Sequence, residues 1–405
     1  MRTVPLVVSL IAVLSLLPAC RSTPDYGRGL APGASALLPL APDEPRPDVG
    51  AAWHDRDDVL EALERSRVWL ERRVARDRYP IAGIEHRRAL ASVTRLGQLL
   101  RESPDAESFN RSVQSEFVFY KSAGWDGRGG GVLFTGYYTP IFDARREPDT
   151  LYRYPLYSKP EGLVRKPDGT VVRQLATGSE LPAPTRRALE ETDMLRGRGL
   201  ELAYLKDPFD AYLCHVQGSA FLRMEDGTML KLGFGGTNGR EYTSLAKELV
   251  KAGEIPEDHS GIPALREWAE RNRERLFDFT RRNERFVFFT PIEGTPHGSL
   301  DFPVTQDLSL ATDKSLFPPA APVFVDSSVA NASTNGYSTF RQMMFDQDTG
   351  GGIRTAGRGD IYLGIGDDAG RRAGRTKAEG QLYYFFLEPG LVGLYSPRAG
   401  DGIAP

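Results

Sequence analysis

The stretch Asp348 to Tyr362 reads D-T-G-G-G-I-R-T-A-G-R-G-D-I-Y. It sets two aspartates at either end of a glycine-rich loop and then runs into the apolar Ile361-Tyr362-Leu363. A loop so poor in side chains cannot be core; glycines gather where the backbone takes positive φ or where something approaches it closely. Asp360 stands at the mouth of a strand-like run, so a rigid element would hold its carboxylate while the loop leaves room beside it. That arrangement is a cleft with an acid in it. The same residues also fit a long hairpin loop whose aspartates serve only turn hydrogen bonds.

Outward from this loop, composition bounds the rest. A chain of 405 residues makes two domains more often than one. Hydrophobic content of 40% and charged content of 26% are ordinary for a globular protein. A net charge of -3 supplies no basic stripe for phosphate neutralisation, which argues against a nucleic-acid partner. With 42 glycines and 29 prolines the chain has many turns, which points to a mainly β architecture with a few helices.

The helical pattern begins at Asp57, with Val59, Leu60, Leu63, Val68 and Leu70 at roughly helical spacing, and returns from Arg87 to Arg101. Strand character follows in Val132 to Thr139 and, broken by Pro155 and Pro160, from Leu151 to Leu163. Leu213–Val216, Phe221–Met224 and Met229–Phe234 read as a meander, with Glu225-Asp226-Gly227 as its hairpin turn. Thr243 is placed to N-cap a helix ending at Gly253, and another runs from Pro263 to about Arg282. Strands and glycine loops then extend to Leu387, followed by a loosely held tail. Cys214, in an apolar run read as strand, is expected to be a buried thiol. Two cysteines and five histidines without a close ligand pair give no metal site.

The first twenty residues read as an address. Arg2 and the apolar run Val4–Leu17 suit a signal segment too short to span a membrane comfortably. Leu17-Pro18-Ala19-Cys20 resembles the bacterial lipoprotein box, in which the cysteine is lipidated, with plain secretion as the alternative. Arg21, in place of an aspartate, favours the outer membrane, with the protein anchored on its periplasmic side. Residues 21–50, rich in Pro, Ala, Gly and Ser, have the composition of a tether.

Five segments, in order, resemble the membrane-bound lytic murein transglycosylase A family. They are Phe134-Thr-Gly-Tyr-Tyr138, Asp207–Ala211 with Val216-Gln-Gly-Ser219, Gly233–Gly239 with Tyr242-Thr-Ser244, Phe288-Phe-Thr290, and the run from Leu310 to Tyr384. The last resembles the three-aspartate domain, whose aspartates fall on Asp313, Asp348 and Asp360. The resemblance implies a double-psi β-barrel domain with a second β-domain inserted and a substrate groove between them. It implies a division into leader (1–20), tether (21–50), N-terminal barrel part (51–134), insert (135–284), C-terminal barrel part (285–390) and tail (391–405).

The resemblance further implies cleavage of the β-1,4 bond between N-acetylmuramic acid and N-acetylglucosamine, with a 1,6-anhydro product. Asp360 maps onto the aspartate that acts as acid and then base, needing no metal or organic cofactor. Glycan strands are the implied partner, with the membrane through Cys20 and with cell-wall synthases or scaffold proteins as further candidates. Thr135, Gly136, Tyr137, Tyr138, Gln217, Ser219, Asp348 and Arg354 are the expected substrate contacts, and Asp313 a supporting residue. Read alone, Tyr137 and Tyr138 also fit a strand with one buried and one exposed ring, and Gln217–Ser219 a locally satisfied bulge. The chain departs from the family at Ala220, Pro318–Ala320 and Thr355, the last standing where the family has glycine. Two other readings stay open: a binding lipoprotein without turnover, and a hydrolase pairing Asp348 with Asp360.

Overall fold

The computed structural model describes residues 23–192 and 194–396. The leader and Cys20 lie outside them. The chain opens with β1 (Leu37–Pro39), α1 (Arg56–Glu71), α2 (Arg73–Arg76), α3 (His86–Glu102), α4 (Ala106–Glu116), β2 (Phe117–Ser122) and β3 (Val132–Thr139). Past Pro140 it enters a second set of strands, β4 (Ile141–Arg145), β5 (Tyr154–Tyr157), β6 (Leu163–Arg165), β7 (Val171–Gln174) and β8 (Glu180–Pro182). Next come α5 (Arg186–Glu191), β9 (Glu201–Leu205), α6 (Pro208–Gln217), β10 (Ala220–Arg223), β11 (Met229–Thr237), α7 (Leu245–Lys251), α8 (Ile262–Arg271), α9 (Leu276–Thr280) and β12 (Val287–Pro291). The chain then returns through β13 (Ser309–Ala311), β14 (Pro322–Ala330), β15 (Tyr337–Asp348), β16 (Arg358–Ile365), α10 (Gly366–Arg375), β17 (Lys377–Leu387) and α11 (Val392–Tyr395).

The first and last groups of strands form one sheet, ordered β1-β2-β17-β14-β15-β13-β16-β3, and β17 pairs again with β3. That second pairing closes β17, β14, β15, β13, β16 and β3 into a six-stranded ring. Two of its pairs, β3–β16 and β13–β15, are parallel. This is the barrel the resemblance implies. Closure depends on β17, which pairs with β3 over Lys377–Gly380 and with β2 over Tyr383–Leu387. Gly380 sits at this change of partner, where a Cβ would come within 2.3 Å of the Asp326 carbonyl oxygen. Register puts Phe134, Leu310, Val323, Met344, Ile361 and Tyr384 on one face of the ring, all essentially inaccessible, with Phe324 and Phe345 buried on the other. Each such side chain contributes roughly 1.5–3 kcal/mol through burial. The intervening strands form a six-stranded sheet, β12-β11-β10-β4-β9-β5, and a three-stranded one, β6-β7-β8.

Helices α1 and α3 follow the sequence pattern to within a residue. The expected strand at Leu213–Val216 is instead the helix α6. Asp207 accepts from the Phe209 N–H at 2.8 Å as its N-cap, Pro208 takes the first turn, and Gly218 ends it at φ 78°. Proline at the first helical position and a left-handed glycine just past the last are start and stop signals that override an apolar run. Cys214 is buried as expected, but on this helix. Ser244 rather than Thr243 caps α7. The long helix expected from Pro263 is broken into α8 and α9 at Asn272. Helix α10 falls where the sequence reads as glycine loop, because it carries three glycines. Those glycines are needed for close packing: a Cβ on Gly370 would meet the Tyr138 ring at 2.8 Å.

Neither terminus is slack over the described residues. Within the expected tether, β1 pairs with β2 and buries Ala36 and Leu37, and the Tyr26 hydroxyl donates to Glu379. At the other end Arg95 lies 4.9 Å over the Tyr395 ring and Arg87 Nε donates to Ser396 Oγ at 3.0 Å. Paired backbone and buried apolar side chains outweigh the low complexity of both segments.

Removing the α6 cap tests the helix that replaces the expected strand. Asp207→Ala is expected to cost about 1 kcal/mol in urea denaturation, as lost N-caps do. A variant of unchanged stability would contradict this capping.

Candidate functional site

The site is a row across the barrel wall. In β16, Asp360 pairs with Thr135 of β3 on one side and with Ala311 of β13 on the other. Ala311 in turn pairs with Asp348 at the end of β15. Residues in register on neighbouring strands share a face, so Thr135, Asp360, Ala311 and Asp348 lie side by side. The two aspartates are about two strand spacings apart, roughly 10 Å between Cα atoms, with only the Ala311 methyl between them. Alternation along β16 puts Arg358 and Tyr362 on the same face as Asp360.

Hydrogen bonding distinguishes the aspartates of this region. Asp348 accepts from the Ser299 and Thr349 N–H groups at 2.7 Å each and from the Tyr137 hydroxyl at 2.8 Å. Asp313 accepts from Ser315 N–H and Oγ–H, and from the Thr355 N–H at 3.1 Å. Asp346 accepts from Lys314, Thr312 and Tyr384. In each of these three, both oxygens are occupied. At Asp360, Oδ1 accepts from the Thr135 hydroxyl at 2.7 Å, and among the described residues no protein donor reaches Oδ2. Arg358 Nη2 donates to Thr135 Oγ1 at 3.2 Å, which turns the Thr135 proton toward Asp360.

Burial raises the Asp360 pKa from 3.8 to about 6. The Thr135 hydrogen bond and the Arg358 charge oppose that rise, and the Asp348 charge adds a little to it. A carboxyl in low-dielectric surroundings prefers its neutral form, and here that preference wins over the guanidinium beside it. Asp360 nonetheless keeps part of its surface open, so its free oxygen is reachable. Burial also raises the Asp348 pKa, against its three hydrogen bonds.

The other expected residues divide. Tyr137 faces the site, its ring 5.1 Å from that of Tyr362. Gly136 and Tyr138 point elsewhere. A Cβ on Gly136 would lie 2.3 Å from Leu363 Cδ1, and the Tyr138 ring is buried against α10, so both serve packing. Gln217 Oε1 accepts from the Tyr138 N–H at 3.0 Å, and Ser219 Oγ lies 2.9 Å from Thr139 Oγ1, which in turn meets the Tyr362 hydroxyl. These two therefore join the insert to the foot of β3. Arg354 stands largely exposed on the loop, 3.9 Å from Asp313. Thr355 takes φ 78°, a strained angle for a β-branched residue, and is held by the Asp313 contact and by donating to the Tyr26 carbonyl at 2.7 Å.

Sequence reasoning missed Arg358 and Tyr242. Arg358 could have been found, since two residues before Asp360 on a strand is the same face. Its Nε is buried and has no acceptor among the described residues. Tyr242, beyond β11, lies against Gly351 and Gly352 and is close enough to Arg358 and Asp360 to feel both charges. Only the fold brings it there. Among the described residues no cluster of three or more His, Cys, Asp or Glu side chains could hold a metal, and no helix is long and apolar enough to cross a membrane.

Comparison with known proteins agrees with this arrangement. Residues 133–290 match the MltA specific insert domain and residues 308–386 the 3D domain. The chain is 30% identical over 272 residues to the membrane-bound lytic murein transglycosylase A of Escherichia coli K12, covering 66% of this chain and 69% of the relative. It is 30% identical over 263 residues to that of Vibrio cholerae, covering 64% and 66%. The chain thus spans about two thirds of the length of these curated relatives. Among solved structures, it aligns with the membrane-bound lytic murein transglycosylase from Agrobacterium tumefaciens at TM-score 0.71 and 23% identity, covering 88% of this chain and 99% of that one. With Escherichia coli MltA with bound chitohexaose the TM-score is 0.63 at 23% identity, covering 90% and 98%. These likenesses establish the fold.

The Asp360 environment predicts a pH-dependent stability change. Its folded pKa of about 6 exceeds the 3.8 it has when exposed, so the folded state binds the extra proton and the carboxyl's burden on stability grows as pH rises between those values. Asp360→Asn is therefore expected to be more stable than the parent above pH 6, by on the order of 2–3 kcal/mol, with the gain gone below about pH 4. Urea denaturation at the two extremes reads this; a variant no more stable than the parent near neutral pH would contradict it.

Proposed function

Because the chain belongs to the membrane-bound lytic murein transglycosylase A family, we propose that it cleaves the β-1,4 bond between N-acetylmuramic acid and N-acetylglucosamine by intramolecular transfer, with Asp360 as the one catalytic carboxyl. The observation that carries this reading is the unengaged Oδ2 of Asp360 on a buried acid, beside three aspartates whose oxygens are all taken. A pKa near 6 keeps a useful fraction of Asp360 protonated near neutral pH. Its proton goes to the glycosidic oxygen as the C1–O4 bond breaks, through a transition state with oxocarbenium character. The resulting carboxylate then accepts the proton of the muramic O6 hydroxyl as O6 bonds to C1. One bond breaks, one forms, Asp360 ends protonated, and no water is consumed.

Thr135 and Arg358 fit the second half of this cycle, because their donors stabilise Asp360 once it is charged. Tyr137 is held by Asp348 to present its ring, and Arg354 is placed to meet the strand from the loop. Gly136 and Tyr138 support the site from behind, while Gln217, Ser219 and Asp313 brace the segments that form it. The hydrolase reading needs a second carboxylate free to activate water or attack, and Asp348 is bound by three donors. For location, we propose a lipid anchor at Cys20 and the periplasmic side of the outer membrane, with glycan strands as the partner.

The test is mass spectrometry of glycan strands digested by a chain beginning at Thr23, which retains the docked β1. Anhydromuramyl ends, lighter than reducing ends by one water, are the expected product, and Asp360→Asn is expected to lower turnover by at least about a thousandfold. Reducing ends would shift the assignment to a two-carboxylate hydrolase. Strand binding without products would leave a binding protein.

A further inference from the structure

Arg285 and Arg354 lie along the Asp348–Asp360 loop, with Arg165 of the insert within electrostatic reach of Arg285, and among the described residues the one carboxylate within ion-pair distance of any of the three is Asp313, 3.9 Å from Arg354. Arg285, just before β12, is only partly exposed, and among the described residues its side chain has no hydrogen-bond acceptor and no ion-pair partner. It lies along the loop: a Cβ on Gly351 would come within 3.2 Å of Arg285 Nε and 3.1 Å of Tyr242 Cβ. Three residues on, Arg354 projects from the same loop with 58% of its side chain exposed. Its nearest carboxylate, Asp313 at 3.9 Å, is already filled by Ser315 and Thr355 donors. Arg165 ends β6, whose Leu163 packs in one cluster with Phe286, the neighbour of Arg285. Arg354 and Arg165 both repel the Arg285 charge.

Such convergence weakens the fold, and the protein does not relieve it. Glu241 is the one carboxylate that attracts Arg285, and it stays beyond ion-pair distance. Glu180 is taken by Lys166, Glu284 lies near Arg240, and Asp168 accepts from the Thr170 N–H. Charge left unmatched at the edge of a cleft is matched by what enters it.

We propose that Arg285, Arg354 and Arg165 form a carboxylate-binding subsite of the cleft, taking the acidic substituent that the muramic acid residue carries on its O3. This rests on the function proposed above. N-acetylglucosamine is neutral, whereas each muramic acid bears a lactyl ether that ends in a free carboxylate or in a peptide with carboxylates of its own. Guanidinium forks suit that group, since each can donate two parallel hydrogen bonds to one carboxylate. Tyr242 spans the distance, touching the loop beside Arg285 and lying near Asp360. The subsite thus reads the sugar whose glycosidic bond Asp360 breaks, and sets a preference for acid-bearing strands over neutral ones.

The test measures binding in the Asp360→Asn chain from Thr23, using three oligosaccharides of one length. One carries peptide stems, one has free lactyl carboxylates, and one is a neutral N-acetylglucosamine oligomer. The expected result is at least about tenfold tighter binding of an acidic ligand than of the neutral one, a preference that weakens as salt is raised. Arg285→Gln and Arg165→Gln are each expected to reduce that ratio severalfold, and Arg285→Lys to retain part of it. Arg165 is exposed, so its variant reports on charge without risk to folding. Preference for the stem-bearing ligand alone assigns the subsite to peptide carboxylates; equal preference for both acidic ligands assigns it to the lactyl group. Equal affinity for acidic and neutral ligands, or a ratio untouched by both glutamine variants, overturns the subsite. Product analysis of the parent enzyme separates the two readings: absent anhydro ends sink the proposed function, while anhydro ends without charge preference sink only this subsite.

Discussion

The parallel pairing of β16 with β3 is the constraint on which the structure turns. It joins segments more than two hundred residues apart in sequence, and it sets Asp360 directly beside Thr135. Parallel neighbours need a long crossover, and here the crossover is the entire insert and half of the barrel. Once β3 is held by β16 on one edge and β17 on the other, the ring is closed and no open edge remains beside Asp360. The insert then hangs between Pro140, just after β3, and the segment from Pro291 to Ser309 through which the chain returns to the barrel strands. That attachment brings Tyr242 and Arg285 over the glycine loop.

Electrostatics follows from this geometry. An acid on the inner strand of a closed wall is desolvated, and desolvation is the largest influence on Asp360. The protein moderates that influence rather than cancelling it. Arg358 stands two residues away on the same strand face and reaches Asp360 through Thr135, so its charge acts at one remove. A direct ion pair would hold the acid permanently ionised, and full isolation would hold it permanently neutral. The relay through a hydroxyl leaves both states of the acid accessible.

Much of this was legible beforehand, and the failures have physical causes. The glycine loop flanked by Asp348 and Asp360 is what the sequence suggested, and the ordered motifs led to the correct barrel. Helix α6 was misread because its apolar run looks like a strand, although Asp207-Pro208 and Gly218 bracket it with capping signals. Helix α10 escaped because glycine lowers helix propensity, whereas Gly370 and Gly374 are there to admit Tyr138 and Pro263. The segment 23–50 has the composition of a linker, and composition carries no information about pairing with a distant β2. Gly136 and Tyr138 matched a motif whose alternation puts only Thr135 and Tyr137 toward the cleft. Tyr242 and Arg285 had no local signal at all; their place comes from how the insert folds back.

Ala311 has a consequence for how the chemistry of such a wall can change. The sheet acts as a ruler with a step of about 4.8 Å, and Asp348 is held two steps from Asp360. The position one step away is Ala311, a residue with nothing to ionise. An acid introduced there would stand near the 5 Å carboxyl spacing that glycosidases use for covalent retention, without moving either existing aspartate. The barrel therefore holds an unused lattice point between its two carboxylates. A change of reaction class would be a matter of which point on the lattice is charged, with the backbone left as it is.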